Sequence, residues 1–394
     1  MSTSVHNDVL SAIDVYFSKN RWSLKSCPLC SAQYFTKRDL DTCGSYACLK
    51  GYPFLAIPAP KQPKGLLNLH KELSSFFTAL QYVQIPARSV FRKNERTLFA
   101  STSGQVFDDV IYHGRPVSAR DVFCAQPVIR LQFADQVGAI EGVATSFVNV
   151  ATDRWSSTAE QYVEAVDAWL TLLSKQGFFV SNLTIKRRYA ENQWGDKVVH
   201  AEMLKFNYGG LELGVANYFL DIPLSDGTQA TMSDLSFGLE RIAWAINKTA
   251  SYFDAVGPLS QTIRSKVVFM DTMRTLTLMA ASGVNPSPHD HGSKFRMLAK
   301  RVNTQTEGFV RDARDAVEYY YAQWGTFIQF PRMLQVISHI VRAELDRNVN
   351  CELQELTGFT GDTDDSQEEY LQELTSKHLS TNQVRELLKR KESP

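Results

Sequence analysis

The sequence predicts an α+β protein: an antiparallel sheet flanked by helices, an all-helical region after it, and a small cysteine module before it. Three observations lead there. Strand-like runs succeed one another with few helices between them over residues 89–223, the pattern of an antiparallel rather than a doubly wound parallel sheet. From about residue 258 helical periodicity dominates, through LSQTIRSKVVFMDTMRTLTLMAAS, GSKFRMLAKRVNTQTEGFVRDARDAVEYYYAQWG and FPRMLQVISHIVRAELDR. Four of the six cysteines crowd into residues 27–48. The expected divisions are 1–60 for an N-terminal helix and the cysteine module, 61–257 for the sheet domain, 258–350 for the helical domain and 351–394 for a polar helical tail.

Taken in order, DVLSAIDVYFS (8–18) is a short amphipathic helix. The cysteines follow as Cys27-x2-Cys30-x12-Cys43-x4-Cys48. In a reducing compartment two close pairs point to zinc rather than to disulfides, and four thiolates close a tetrahedron around the ion, a structural and not a catalytic arrangement. Four ordinary thiols are the plainer reading; the polar loop FTKRDLDT between the pairs favours the metal. Cys124 and Cys351 stand alone and read as core or incidental. GYPFLAIPAPKQPKG (51–65) is a Pro-rich linker, and an amphipathic helix spans about 65–80. SVFRK, TLFAST, DVIYHG, QPVIRLQF and VATSFVNVA read as strands. Residues 157–176 form a long helix capped by Ser or Thr with Glu160 just inside it. FVSNLTIKRR, VVHAEMLKFNY and GLELGVANYFLDIP are further strands.

The stretch LSFGLERIAWAI (235–246) sets a glycine before an apolar helix, with Leu239, Ile242, Ala243 and Ile246 on one face. Gly238 permits a tight turn or a close backbone approach. Glu240 suits the first turn of a helix; Arg241 does not, which marks it either as a surface residue or as one held for an anionic ligand. The tail carries an acidic GDTDDSQEEY and a basic VRELLKRKE.

With 44% hydrophobic and 21% charged residues the chain is globular, and a net charge of zero gives no overall attraction to nucleic acid. The N-terminus is polar and acid-bearing, unlike a signal peptide. The most apolar run, VVFMDTMRTLTLMAASG, carries Asp271 and Arg274 and is unfit to span a bilayer, so no membrane partner is expected and the cytoplasm is the expected location.

These pieces, in this order, resemble the alanyl-tRNA synthetase family of class II synthetases, over roughly residues 10–305. LSFGLERIAWAI has the form of the family's motif 3. QPVIRLQFADQVG with VATSFVNVA resembles motif 2, GGLELGVANYF the strand before motif 3, and DTMRTLTLMAASGVNPSPHDHGSKFRMLAKR the helical tRNA-recognition region. The cysteine stretch resembles the N-terminal module of archaeal-type members. The resemblance implies a class II catalytic fold and amino-acid activation, in which a carboxylate meets the α-phosphate of ATP and the transition state needs positive charge. It implies that Arg130 bridges carboxylate and α-phosphate, that Arg241 lies along adenine and the triphosphate, and that Phe147 stacks on adenine. It implies Glu212 as the acid for Mg²⁺ and Asp234 as the acid for the substrate's α-ammonium. Gly238 then turns the chain against the nucleotide. An arginine fork both binds oxyanions and stacks, which suits both arginine positions. Glu212 as an ordinary paired strand residue and Asp234 as a helix N-terminal acid remain the alternatives.

Four departures qualify this. The chain has no HxxxH, and neither the family's editing domain nor its C-terminal domain is expected, so deacylation is not expected. Gly142, Val143 and Val148 stand where the family has Arg, His and Glu in motif 2. Val215 and Asn217 give the amino-acid pocket a different surface, which puts alanine as the substrate in question. Pro288 replaces the asparagine that reads the acceptor stem and has no donor with which to do so, leaving Lys294, Arg296, Lys300 and Arg301 as phosphate-holding cations or a solvated face. The first expectation is therefore an ATP-dependent ligase that forms an aminoacyl adenylate and passes it to a small molecule, a peptide or a carrier protein. A minimal tRNA-charging enzyme and a non-catalytic binding protein on the same fold are the alternatives.

Overall fold

A computed structural model describes residues 3–59, 62–92, 97–256, 263, 266–302 and 309–357. Helix α1 (Thr3–Lys19) leads to the hairpin β1 (Ser23–Ser26) and β2 (Gln33–Thr36), the one-turn α2 (Tyr46–Leu49), α3 (Leu66–Ala79) and β3 (Val83–Gln84). Then come α4 (Asp108–His113), β4 (Asp121–Ile129), β5 (Ser146–Trp155) and α5 (Ala159–Lys175). Four long strands succeed these, β6 (Leu183–Trp194), β7 (Lys197–Tyr208), β8 (Leu211–Pro223) and β9 (Gln229–Gly238), and run into α6 (Leu239–Asn247). Helices α7 (Val267–Ala281), α8 (Asp290–Ala299), α9 (Phe309–Trp324) and α10 (Leu334–Thr357) complete the described part.

The strands form one sheet in the order β1-β2-β6-β7-β8-β9-β5-β4-β3. Neighbours are antiparallel throughout except β3 and β4. Side chains alternate across a strand, so register assigns each residue to a face. On one face Val148, Val150 and Thr152 of β5, Leu235 and Phe237 of β9 and Ala216 of β8 are buried. Helix α5 covers this face: Trp169 stacks on Phe237 with ring centroids 4.0 Å apart and donates to Thr152 Oγ1 at 2.8 Å, and Tyr162 donates to the Ala216 carbonyl at 2.9 Å. The helix is fixed at its start by a capping box in which Thr158 and Gln161 satisfy each other's backbone; Gln161 holds the position expected of Glu160.

The opposite face carries Asn149, Ala151 and Asp153 of β5, Ser236 and Asp234 of β9, and Val215 and Asn217 of β8, in matched rows. One row runs Asp153–Asp234–Asn217–Met203, and the next row along the strands runs Trp155–Met232–Phe219–Ala201. The first is polar up to Met203 and the second is apolar throughout. The apolar row belongs to a separate hydrophobic cluster with Phe107, Ile111, Val122, Trp194 and Val199. The main core is one continuous cluster from Val9 in α1 to Leu345 in α10, so the C-terminal helices share it with the sheet.

Three strand expectations fail. DVIYHG lies in α4: Asp108 and Asp109 open the helix favourably, Gly114 ends it in the left-handed conformation at φ 62°, and Ile111 is the residue it buries. SVFRK and TLFAST reduce to a single bridge between Phe91 and Phe99. The strand expected over QPVIRLQF stops at Ile129, which leaves Arg130 as the first residue of a loop. Cys124 is buried in β4, as expected of a core residue. The side chain of Cys351 and all of residues 358–394, including the acidic and basic stretches of the tail, lie outside the described residues.

Candidate functional site

The polar face of the sheet floors a cavity of about 720 Å³. Arg130, Val215, Asn217 and Asp234, far apart in sequence, all line it. Arg130 sits where β4 gives way to the loop, and its backbone N–H donates to the Thr145 carbonyl across that loop at 2.9 Å. Its guanidinium donates from Nε and Nη2 to the Ser101 carbonyl at 3.0 and 2.6 Å, and lies 5.1 Å from the centre of the Phe147 ring. Burial and then the charge of Arg241 lower its pKa, while Asp234 and Glu212 oppose that shift. The two arginines, Phe147, Glu212 and Asp234 are thus brought into one neighbourhood.

Arg241 leaves the first turn of α6 and reaches back over the sheet, donating to the Glu212 carbonyl at 3.0 Å and the Gly142 carbonyl at 3.4 Å. Neither bond engages a carboxylate, so an anionic ligand meets a guanidinium held in place but not neutralised. Gly238 has an ordinary extended conformation, φ −80° and ψ 116°, so no left-handed turn demands a glycine there. A Cβ at Gly238 would meet the Arg241 side chain at 3.4 Å, which is ordinary contact. A close approach within the protein is made at Gly142. It has φ +77°, and a Cβ there would come within 2.9 Å of the Trp244 ring. No arginine fits at this position without displacing that ring. The Glu212 carboxylate is half-exposed and pairs with Lys205 at 3.1 Å.

At the acid end, Asp234 is 4% exposed. Burial raises its pKa, against the Ser236 hydroxyl, the Arg130 charge and the Asn217 side chain, which lower it. Ser236 donates to it directly. Asn217 is also buried, and its Oδ1 has no hydrogen-bond partner. Beside Asp234 in register lies Asp153, fully buried, with neither carboxylate oxygen in an ordinary hydrogen bond. Burial first, and the neighbouring Asp234 charge second, push its pKa well up. Sequence reasoning did not single out Asp153. Its signal was its parity with Asn149 in VATSFVNVATDRW, which places it on the site face once β5 is known to be a strand.

Two other groups went unrecognised. Glu240, read as a first-turn acid, is fully buried; it accepts the Val148 N–H on both oxygens at 3.0 Å and pairs with Arg274 of α7. Val148 itself is buried in the core, so the acid expected there is replaced by a packing residue. Asp271, also of α7, accepts from the Thr145 N–H at 2.7 Å and the Thr145 hydroxyl at 2.8 Å, and Arg274 donates to the Ser146 carbonyl at 2.7 Å. Helix α7 thereby fixes the returning end of the loop that begins at Arg130. An aspartate and an arginine inside an apolar run were the signal. Of the basic residues near α8, Arg301 donates to the Ala134 carbonyl at 2.6 Å and lies 3.5 Å from Asp271, and Arg296 lies 3.8 Å from Glu344. Lys294 lines the cavity. Pro288 and His289 are exposed in the preceding loop.

The four expected cysteines come together, their sulfurs all within 4.8 Å of one another. Cys27–Cys48, Cys30–Cys43 and Cys43–Cys48 are 3.8, 3.6 and 3.7 Å apart. These are the edges of a tetrahedron of thiolates at about 2.3 Å from a central zinc, and far longer than a disulfide bond. Burial pushes the Cys27 thiol up, but backbone N–H groups of Cys43, Leu29 and Cys30 outweigh it and bring it down to about 6. Such donors stabilise the Cys27 thiolate, whereas at Cys30 the Ala32 N–H is outweighed by burial and the neighbouring sulfurs, which hold the thiol up, so it is the spacing of the four sulfurs that makes the cluster compatible with zinc. Among the described residues it is the one group of three or more potential ligands. No helix among them is long and apolar enough to cross a membrane.

The chain is 26% identical to an alanine–tRNA ligase of Korarchaeum cryptofilum over 255 residues, 63% of this chain and 28% of that protein. The same identity holds over 264 residues for the enzyme of Sulfurisphaera tokodaii and over 272 residues for that of Halorubrum lacusprofundi. The chain is alanyl-tRNA synthetase-like. Its matched stretch spans only 28–29% of these relatives' own length. No family model matches it. Among solved structures, a pyrrolysyl-tRNA synthetase from Desulfitobacterium hafniense overlaps 50% of this chain and 75% of its own at 13% identity, with a TM-score of 0.36, too loose to support an inference. The fold class rests on the sheet itself: antiparallel, helix-backed, with its polar face open to the cavity.

Proposed function

We propose that this chain activates an amino acid with ATP and passes the aminoacyl group to a small amine, a peptide or a carrier thiol rather than to tRNA. One observation carries the reading: a single cavity is lined both by Arg130, which feels the charge of Arg241, and by the buried acid Asp234 farther along the strands. An α-amino acid presents a carboxylate and an ammonium to complementary charges in this arrangement. A carboxylate oxygen attacks the α-phosphorus, the bond from that phosphorus to the bridging oxygen breaks, and pyrophosphate leaves with the electron pair. Arg130 gives up its contact with the Ser101 carbonyl to hold carboxylate and α-phosphate, and Arg241 lies along the phosphates. Phe147 offers its ring to adenine. Glu212 is the carboxylate for the Mg²⁺ that ATP carries, which neutralises phosphate charge; octahedral Mg²⁺ asks only one or two protein carboxylates. Val215 and Asn217 shape the amino-acid side.

The cysteine cluster is read as a structural zinc site. Metal analysis is expected to find one zinc per chain, lost in Cys43→Ser together with a fall in melting temperature; full metal-free stability would sink this. A reducing cytoplasm suits four such thiols.

The non-tRNA acceptor is supported by the engagement of Arg296 and Arg301 within the protein and by Pro288 in the loop. Charging of tRNA is the second reading, supported by the relatives' being alanine–tRNA ligases. The test is amino-acid-dependent ATP–pyrophosphate exchange, without and with total tRNA. Exchange without tRNA charging supports the proposal. Charging puts the second reading first, with affinity falling steeply with salt. No exchange in folded protein leaves a binding role.

A further inference from the structure

We infer that the amino acid taken by this cavity has a large apolar side chain, aliphatic or aromatic, and not the single methyl of alanine. The inference rests on the activation reading and deepens it. The sheet register sets three zones in order along the strands. Ser236 and Val215 form the row on the Arg130 side, Asp234 and Asn217 form the next, and Phe219 lies in the row beyond. With the carboxylate drawn to Arg130 and the ammonium to Asp234, the remaining substituent of the α-carbon points along the floor toward Phe219. There the wall changes character. Trp194, Val199 and Phe219, all from the separate apolar cluster, line the cavity.

Two residues along a strand cover about 7 Å, so a group reaching from the Asp234 row to the Phe219 row needs several carbons. A methyl stops short and leaves the apolar wall facing water. The wall is also held in place. Trp194 donates from Nε1 to Asp108 at 2.9 Å, its carbonyl accepts the Tyr112 hydroxyl, and its ring meets Phe219 edge-on at 5.3 Å. A wall locked by α4 has little freedom to collapse onto a small ligand. Asn217 lines the same space beside Asp234, and its buried Oδ1, which has no hydrogen-bond partner, is an acceptor the ammonium can draw on after a small rotation of the side chain. None of the three wall residues is cationic, and the polar exception beside them is Asn192, paired in register with Val199, whose Nδ2 has no hydrogen-bond partner.

The test measures exchange and thermal stabilisation in parallel over glycine, alanine, serine, valine, leucine, methionine, phenylalanine and glutamate. A hydrophobic wall distinguishes one methylene by roughly 10–200-fold. Leucine, methionine or phenylalanine is therefore expected to exceed alanine in kcat/KM by at least about 100-fold. Met203→Trp, which fills the cavity beside Asn217, is expected to move preference toward smaller amino acids while the melting temperature reports its folding. Preference for glycine, alanine, serine or glutamate overturns the inference and leaves activation standing. Stabilisation by large apolar amino acids without exchange upholds the pocket and sinks activation. Neither exchange nor stabilisation with any of them overturns both.

Discussion

Two buried acidic constellations meet strand β5 and differ in one respect, compensation. Glu240 is fully buried, yet its carboxylate holds the Arg274 guanidinium and the Val148 N–H. Asp153 is equally buried, and its oxygens find another acid, Asp234, and no ordinary hydrogen bond. The first satisfies its lone pairs and joins α6, α7 and β5. The second leaves acceptors unmet beside the one cavity that gathers Arg130, Asn217 and Asp234. Burial with compensation marks structure; burial without it marks a place where a ligand or a proton completes the set.

The largest effect expected from breaking this contrast is on stability at the compensated pair. Glu240→Gln leaves Arg274 buried without its carboxylate and is expected to cost about 3–5 kcal/mol in urea unfolding. A loss below about 1 kcal/mol would mean the pair is not integral. Arg130→Ala comes next and acts on the other side of the contrast. Exchange is expected to fall by about 10²–10³-fold, the usual effect of removing one charge-stabilising donor, whereas unfolding shifts by only about 1 kcal/mol. Equal losses in both would reassign Arg130 to structure.

Asp153→Asn sharpens the contrast from the other side. The pKa of Asp153 is raised by folding, so between its unfolded value near 4 and its folded value the native state binds more protons than the unfolded state. Wild-type stability therefore falls as pH rises through that window. Asp234 and Asp271 are shifted in the same direction and add to the slope. Asn does not titrate, so the variant is expected to melt higher than wild type by a margin that grows from pH 5 to pH 8, reaching about 1 kcal/mol or more. A margin that shrinks with pH would contradict the assignment. The smallest effect is expected from Lys294→Ala. This half-exposed cation should change the KM for ATP by less than about fivefold, and less still at high salt.

Much of the site was legible without coordinates. Arg241 stood out by its charge in the first turn of a helix, Arg130 and Asp234 through the family resemblance, and the fold brings the three into one neighbourhood. The cysteine cluster was legible from spacing alone, because two short-range pairs need only one loop closure to meet. What failed were local signals that tertiary context overrides. DVIYHG alternates like a strand, but two leading aspartates and a glycine stop make it helix. The left-handed turn at Gly142 also went unread, because a positive φ cannot be read from one glycine among several.

By itself, the sequence determined the order of most strands and helices, the antiparallel class, the cysteine cluster and the identity of the charged residues at the site, since each comes from local periodicity, spacing or family pattern. Only the tertiary structure decided which charges are answered and which are not. Between Asp153 in β5 and Asp234 in β9 the chain runs through α5, β6, β7 and β8, and between Glu240 and Arg274 it runs from the first turn of α6 to the middle of α7. Pairing register sets the first acid beside another acid, and helix packing sets Glu240 beside an arginine. Compensation of a buried charge depends on the groups within a few ångströms of it in space, and neighbours of that kind come from chain segments that local sequence does not relate.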